Sequence, residues 1–256
     1  MIISIFNQKG GVAKTTTTVN LGAALSQLGK RVLIVDTDPQ ANATVGLGLD
    51  DECLKETIYK LLTLKRVKKE RILEVLQKTS YEGLDIMPSD ITLSDAEITL
   101  SQAMSRETIL SRILEQISMD YDFTLIDCPP SLGLLSINSL VASDALIIPV
   151  TPSFFSIKGI KHLLNTVNLV QEKLKPELYI MGVLIANYDA RKNLSKEIRN
   201  NLTEVFGDKV FNTFIRTNSQ IEYAQDAQQP IVFFNQKSNG FEDYMSLARE
   251  VITHGE

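Results

Sequence analysis

The chain has 256 residues, of which 44% are apolar, 22% charged and 7% aromatic. This composition is typical of a globular protein and excludes a disordered chain, and the length fits one domain over residues 1–256. The formal net charge of −5 argues against a protein that coats nucleic acid with its whole surface, although a local basic patch is compatible with it.

Short β-branched runs alternate along the chain with longer stretches at helical spacing. The runs predict strands over residues 2–6, 32–36, 123–127, 145–150 and 180–186. The longer stretches predict helices over residues 15–28, 157–173, 194–206 and 241–252. Because this alternation is typical of parallel strands joined by crossover helices, we expect an α/β fold with a mostly parallel central sheet flanked by helices.

The sequence carries no sign of export. The N-terminal apolar run stops at Asn7, and no apolar stretch approaches the ~18 residues that span a bilayer. The two cysteines, Cys53 and Cys128, support neither a disulfide framework nor a four-ligand zinc site. We therefore expect a cytoplasmic protein without a membrane partner.

The segment between the first predicted strand and helix has the composition of a phosphate-binding loop. Glycines there let backbone N–H groups surround an anion, and the helix start adds its positive dipole end. Lys14 supplies a charge for the outer phosphates and Thr15 a hydroxyl for Mg²⁺. Gln8 and Ala13 occupy the glycine positions of the ordinary Walker A pattern, where the Ala13 Cβ would restrict the loop, and Lys9 adds a second lysine.

The segment instead fits the deviant Walker A pattern, in which a lysine precedes the usual one by five residues. It predicts an ATP-binding loop formed by Lys9, Gly10, Gly11, Val12, Ala13, Lys14, Thr15 and Thr16.

Three aspartates lie at the ends of predicted strands. Asp36 ends the second strand, Asp38 follows two residues later, and Asp127 ends a strand in the form of a Walker B element. We expect all three at the carboxyl edge of the sheet, where open α/β sheets bind ligands. Phosphoryl transfer to water needs Mg²⁺ and a group that holds the water, and carboxylates suit both tasks.

These motifs resemble those of the ParA/MinD group of deviant Walker ATPases, and within it the ParA/Soj partition ATPases. The resemblance covers nearly the whole chain and implies a P-loop NTPase fold. Besides the loop at Lys9, it rests on Asp36-x-Asp38-Pro39-Gln40-Ala41-Asn42, Asp127-Cys128-Pro129-Pro130-Ser131-Leu132-Gly133 and Tyr188-Asp189-Ala190-Arg191.

The resemblance implies a role for each catalytic residue. Lys9 reaches the phosphates of the partner subunit's nucleotide in an ATP-bound sandwich homodimer. Lys14 and Thr15 hold phosphate and Mg²⁺ within their own subunit. Asp38 positions the hydrolytic water at the metal, and Asp127 supports the metal through water.

The same resemblance places two further residues at the nucleotide. Gln40 is implied as a nucleotide contact, and Asn187 as a contact of the adenine. The loop over residues 215–218 is expected to close over the base.

In the resembled family the ATP-bound dimer binds DNA without sequence preference, and a cargo-bound partner protein stimulates hydrolysis and releases it. This implies association with the nucleoid. The cargo stays open: a plasmid, a chromosome origin or a protein organelle such as a carboxysome. The predicted DNA contacts are Arg191, Lys192, Lys196, Arg199 and Arg216. A second basic run, residues 65–71, ranks below that cluster as a candidate: an addition to the DNA surface, a partner-binding surface and a solvated face all explain it.

Two alternatives share the phosphate loop. A MinD-like membrane ATPase needs a basic amphipathic anchor at the C-terminus, whereas residues 247–256 are partly acidic and lack an aromatic face. A P-loop ligase or kinase would transfer phosphate to a small molecule. In such an enzyme Lys9 would have no function.

Overall fold

A single seven-stranded sheet organises the computed structural model, which describes residues 1–152 and 157–255. The strands lie in the order β3-β4-β2-β5-β1-β6-β7. Every neighbouring pair is parallel except β3 and β4. The strands are β1 (Ile2–Ile5), β2 (Val32–Asp36), β3 (Gln77–Lys78), β4 (Leu84–Met87), β5 (Phe123–Asp127), β6 (Ala145–Val150) and β7 (Tyr179–Ile185).

The helices divide into four long crossover or terminal helices and a set of shorter ones. The long helices within the described residues are α1 (Lys14–Gln27), α8 (Ile157–Lys173), α9 (Asn193–Phe206) and α12 (Asn239–Gly255). The shorter helices are α2 (Asn42–Gly46), α3 (Ile58–Thr63), α4 (Lys69–Val75), α5 (Ala96–Ser101), α6 (Ile109–Leu114), α7 (Leu134–Ala142), α10 (Ser219–Asp226) and α11 (Ile231–Phe234).

The predicted fold class is confirmed. All five predicted strands and all four predicted helices are present, and their ends shift by three residues at most. Strands β3 and β4 were not predicted, because the buried Asp85 interrupts the apolar run of β4. Its carboxylate accepts hydrogen bonds from Lys78 at 2.7 Å and from the Tyr121 hydroxyl at 2.8 Å. Residues 153–156 and 256, which the predicted domain includes, lie outside the described residues.

Both faces of the sheet are covered, so its strands are apolar on both sides. Leu33 and Val35 of β2 face a core shared with α3 to α9. Ile34, between them, faces a second core shared with α1, α11 and α12. Successive side chains of a strand point to opposite faces, and burial on both explains the continuous apolar runs that made the strands recognisable.

Helix α1 lies close against the sheet at Gly22. A Cβ at this position would come within 2.8 Å of the Ile34 Cδ1 atom. The absence of a side chain at Gly22 therefore lets α1 pack closely on β2.

The carboxyl ends of β1, β2 and β5 meet at one edge of the sheet. Asp127 of β5 is paired in register with Asp36 of β2 on one side and with Ile5 of β1 on the other. The loop that leaves β1 enters α1 at this edge, so the predicted loop and the predicted carboxylates come together. Along the described part of the chain, no helix is long and apolar enough to cross a membrane.

Candidate nucleotide-binding site

The loop between β1 and α1 bends through two residues with left-handed backbone conformation. Gly11 has a φ of 71° and Ala13 a φ of 65°. The carbonyl oxygen of Ala13 accepts the N–H of Thr17 at 2.9 Å, which opens the helix. Glycine adopts this conformation freely, whereas alanine loses about 1–2 kcal/mol in it. Ala13 therefore carries backbone strain at the turn into α1.

Side chains of the loop anchor it to the neighbouring elements. The Asn7 amide donates to the Pro149 carbonyl of β6 at 2.8 Å and accepts the N–H of Lys9 at 3.1 Å. The Gln8 amide donates to the Thr166 hydroxyl of α8 at 2.9 Å. Gln8, which replaces a Walker A glycine, thus ties the loop to α8.

Lys14 places its ammonium group inside the loop. Its side chain is buried, with 7% exposed, and Nζ donates to the Lys9 carbonyl oxygen at 3.2 Å. Burial lowers the pKa of Lys14, while the nearby Asp127 and Asp38 act in the opposite direction. The loop therefore wraps a buried cation at the start of a helix, an arrangement suited to an anion.

Asp127 is held by two hydroxyl groups of α1. Thr15 Oγ1 donates to Oδ2 at 2.7 Å, and Thr18 Oγ1 donates to Oδ1 at 3.0 Å. The carboxylate is fully buried. Burial and the neighbouring Asp36 raise the pKa of Asp127, while the two hydroxyl bonds act in the opposite direction. Thr15 and Asp127, predicted from separate motifs, are in direct contact.

Asp36 and Asp38 lie in different environments, although only one residue separates them in the sequence. The Asp36 carboxylate is fully buried, accepts the N–H and hydroxyl of Thr44 at 2.9 and 2.8 Å, and accepts the N–H of Asp38. It therefore orders the turn after β2. Asp38 is 7% exposed, and its Oδ1 accepts the Gln40 N–H at 3.0 Å. The Ser89 hydroxyl donates to the Asp38 carbonyl at 2.8 Å.

The remaining predicted loop residues surround this centre. Within the loop, Gly10 and Gly11 are exposed, Val12 is buried, and Thr16 is half-buried at the helix start. Lys9 is exposed at the outer side of the loop.

The predicted adenine contacts lie beside each other at the end of β7. Asn187 is exposed and has a φ of 56°, a conformation that asparagine tolerates. The next residue, Tyr188, donates its N–H to the Ile215 carbonyl at 2.9 Å and accepts the Thr217 N–H at 3.0 Å. The backbone of segment 215–218 is thereby fixed next to Asn187.

Four of the five predicted DNA contacts lie on or just before α9. This helix buries Ser195, Ile198, Leu202 and Phe206 and turns its other face to solvent. Lys192, Lys196 and Arg199 are exposed, and the Arg199 guanidinium lies 5.7 Å from the centre of the Phe214 ring. Arg191 is exposed and is paired with Asp189 at 2.9 Å.

Arg216 is placed apart from these four, because carboxylates of α12 hold it. Its guanidinium pairs with Asp243 at 2.7 Å and with Glu242 at 2.9 Å, and these bonds raise its pKa. Arg216 thus ties the segment beside Asn187 to α12. Contact of Arg216 with a DNA phosphate would compete with two carboxylates.

Sequence reasoning missed three residues that hold the aspartates: Thr18 and Thr44 donate to carboxylates, and Ser89 donates to the main-chain carbonyl of Asp38. Thr18 could have been found, because it lies one helical turn after Thr15 and shares its face. Thr44 and Ser89 follow different strands and carry no motif, so only the fold brings them to Asp36 and Asp38.

A family profile described as an AAA domain matches residues 1–180. Soj, the sporulation initiation inhibitor protein of Bacillus subtilis, is 46% identical over 254 residues, which cover 99% of each chain. The chain belongs to the ParA/Soj family of P-loop ATPases. The chromosome partitioning protein ParA of Caulobacter vibrioides, another family member, is 39% identical and matches 98% of this chain and 94% of its own.

A solved structure extends this likeness to a nucleotide-bound protein. A protein of Mycobacterium smegmatis described as cobyrinic acid a,c-diamide synthase, with a bound ATP analogue and magnesium, superposes with a TM-score of 0.86. It is 33% identical, and the match covers 99% of this chain and 94% of that one. The resemblance to ParA/Soj ATPases, predicted from the motifs, is confirmed.

Proposed function

We propose that this ParA/Soj family member binds ATP with Mg²⁺ at the loop between β1 and α1 and hydrolyses it to position a cargo. The observation that carries the proposal is the contact of Asp127 with Thr15 and Thr18 beside the buried Lys14. At the start of a helix, this contact brings oxygen atoms that can bind a metal close to a cation that can bind phosphate.

The residues present fit Mg²⁺ bound mainly through phosphate and water. Mg²⁺ takes oxygen ligands and usually keeps several waters, so one hydroxyl and a nearby carboxylate are enough protein groups. Across the described residues, no three His, Cys, Asp or Glu side chains are grouped to enclose a metal. Thr15 would hold the ion directly, and Asp127 and Asp38 would bind its waters. When bound, the ion would neutralise charge on the phosphate oxygens.

Different residues of the chain would then have different roles in hydrolysis. Lys14 binds the outer phosphates, and its burial keeps water from screening the charge. Asp38 holds the attacking water. The Gln40 N–H bonds to its carboxylate and the Ser89 hydroxyl to its main-chain carbonyl, so both the side chain and the backbone of Asp38 are held in position. Gln40, Asn187 and segment 215–218 line the nucleotide.

Lys9 supports a homodimer that closes on ATP. Its backbone is fixed by Asn7, while the residue as a whole is exposed on the outer side of the loop. From there we propose that its side chain reaches the nucleotide of a second subunit. Dimerisation would then depend on the nucleotide that is bound.

The exposed basic side chains of α9 support DNA binding by that dimer. Lys192, Lys196 and Arg199 face solvent together, and a dimer presents them twice. Contacts with phosphates need no base recognition, so we propose binding without sequence preference and a nucleoid-associated, cytoplasmic protein. Arg191 and Arg216 join this surface only by exchanging their carboxylate partners for phosphates.

The names of the relatives support a role in partition. We propose that a cargo-bound partner protein stimulates hydrolysis and so releases the dimer from DNA, and that no membrane is involved. The cargo is a plasmid, a chromosome origin or a protein organelle such as a carboxysome. Residues 1–256 would act as a single domain.

A second candidate is a small-molecule ligase that uses the same loop. The name of the Mycobacterium smegmatis structure favours it, since an amide-forming enzyme also activates its substrate with ATP. This alternative predicts nucleotide binding without DNA binding.

Binding of the protein to unrelated duplex DNA, with ATP, with ADP and without nucleotide across a salt series, separates the two candidates. We expect salt-sensitive binding with ATP alone. The Lys196→Ala and Arg199→Ala double variant should bind more weakly and lower the salt slope by about 0.9 per lost phosphate contact. The matched Lys209→Ala and Lys237→Ala variant, changed at exposed lysines elsewhere, should bind normally. Nucleotide binding without DNA binding in any state would refute the partition role.

A further inference from the structure

A cavity of about 780 Å³ opens between α3, α5 and α6. Its lining includes no residue of the phosphate loop or of the carboxylate cluster around Asp127. The floor is apolar and includes the buried side chains of Leu62 and Ile113. One wall is tied in place, because the Gln116 amide donates to the Val67 carbonyl at 3.3 Å. The cavity therefore shares no lining residue with the nucleotide site.

Apolar side chains continue from the floor to the lip of the cavity. Met104 is 91% exposed and Leu64 is 37% exposed. Large side chains of this kind at the mouth of an apolar cavity favour an occupant that buries its own apolar groups there.

The charge around the cavity is opposite to that of the whole chain. Three cations, Lys65, Arg66 and Arg112, belong to the lining, which includes no Asp or Glu. The chain as a whole has a formal charge of −5. Lys69 and Arg71 in the same basic run are held by carboxylates, whereas the three lining cations form no ion pair with any described residue. Three cations that have no ion pair with a described residue therefore lie together around the cavity.

We propose that this cavity binds an acidic, amphipathic segment of a protein partner. Apolar side chains of the segment fill the floor, and its carboxylates meet the three cations at the rim. Charge complementarity of this kind steers the partner and fixes its orientation. A DNA backbone offers no apolar group for a concave apolar floor, so the cavity favours a peptide over a phosphate chain.

Selection from a phage-displayed library of random peptides of about twelve residues, roughly 18 Å long as helices, tests the proposal. Selection on the full protein is followed by fluorescence anisotropy with the enriched peptides. Two variants probe separate features: Arg66→Glu with Arg112→Glu reverses the rim charge, and Ala103→Trp fills the cavity without changing charge. Lys209→Glu with Lys237→Glu is the control for net charge, since both lysines are exposed and lie outside the lining.

We expect enriched peptides that combine Asp or Glu with large apolar residues. Their affinity should fall roughly tenfold or more in both the charge-reversed and the filled variant, fall with salt, and stay unchanged in the control. Peptides that bind both variants normally, or an absence of enrichment, would refute the proposal. Loss of duplex DNA binding in the charge-reversed variant alone, with no peptide selected, would instead assign the basic run to a DNA surface.

The outcome is independent of the proposed ATPase function, because the cavity shares no lining residue with the phosphate loop. All variants should bind nucleotide as the unchanged protein does, and this measurement also shows that they fold. Failure of nucleotide binding in the unchanged protein would refute the ATPase role and leave the cavity proposal standing.

Discussion

Replacing Ala13 with glycine should stabilise the protein, although the same change inside a helix is destabilising. Ala13 is the residue before α1 and has a φ of 65° and a ψ of 30°. In this left-handed conformation the Cβ atom lies too close to the following carbonyl oxygen, which raises the energy of the folded state. Glycine has no Cβ atom and avoids this contact. The two alanines inside α1, Ala23 and Ala24, lie in helical conformation and so offer a contrast to Ala13.

The expected gain follows from two opposing effects. The left-handed conformation costs alanine about 1–2 kcal/mol. Glycine loses about 0.5–1 kcal/mol more conformational entropy on folding. The free energy of unfolding should therefore rise by roughly 0.5–1 kcal/mol, since the half-buried methyl group of Ala13 adds little.

Equilibrium urea unfolding without nucleotide or Mg²⁺ measures this change free of ligand stabilisation. The matched variant is Ala24→Gly, at a fully buried position inside α1. It should lower the free energy of unfolding by at least about 1 kcal/mol through helix propensity alone. If Ala13→Gly destabilises the protein as much as Ala24→Gly does, the backbone strain at the loop is refuted.

Three further substitutions test the site and the proposed DNA surface. Thr18→Val removes a hydroxyl that donates to the buried Asp127 carboxylate, and should lower the free energy of unfolding by about 1.5–3 kcal/mol in urea titrations. Asp38→Ala should retain nucleotide in equilibrium binding but slow phosphate release by about 100-fold or more, because Asp38 is the proposed acceptor for the attacking water. Asp189→Asn should raise DNA affinity in the ATP state and steepen the salt slope, since it frees Arg191. In the unchanged protein the Asp189 carboxylate is charged at neutral pH, because its hydrogen bonds with Arg191 lower its pKa to about 2.

Each of these variants has a control of the same chemistry. Thr124→Val changes a threonine buried in β5 and should leave stability nearly unchanged, because its hydroxyl bonds to no described residue. Asp226→Ala, at an exposed position, should leave phosphate release unchanged. Asp122→Asn frees Arg31 elsewhere on the surface and should leave DNA binding unchanged. Equal effects in variant and control would contradict the corresponding assignment.

The local sequence pattern was sufficient to predict the main secondary-structure elements, because the strands are buried on both faces. Their unbroken apolar runs carry the signal without help from distant residues. Strand β4 escaped prediction because Asp85 interrupts its run, and the partners that make its burial possible, Lys78 and Tyr121, come from other parts of the chain. The roles of the predicted site residues in catalysis and DNA binding stay predictions.

Sequence patterns alone were sufficient to predict the loop chemistry, the carboxylates at the strand ends and the family. These features depend on residues that are neighbours along the chain, so spacing alone reveals them. The folded structure was needed to show which hydroxyls hold Asp127, that Asp36 orders the turn after β2, and that Arg216 is held by α12. It also decided that Lys65 and Arg112 share a cavity. Such contacts join residues far apart in sequence, and they exist only because packing of the helices on the sheet brings them together.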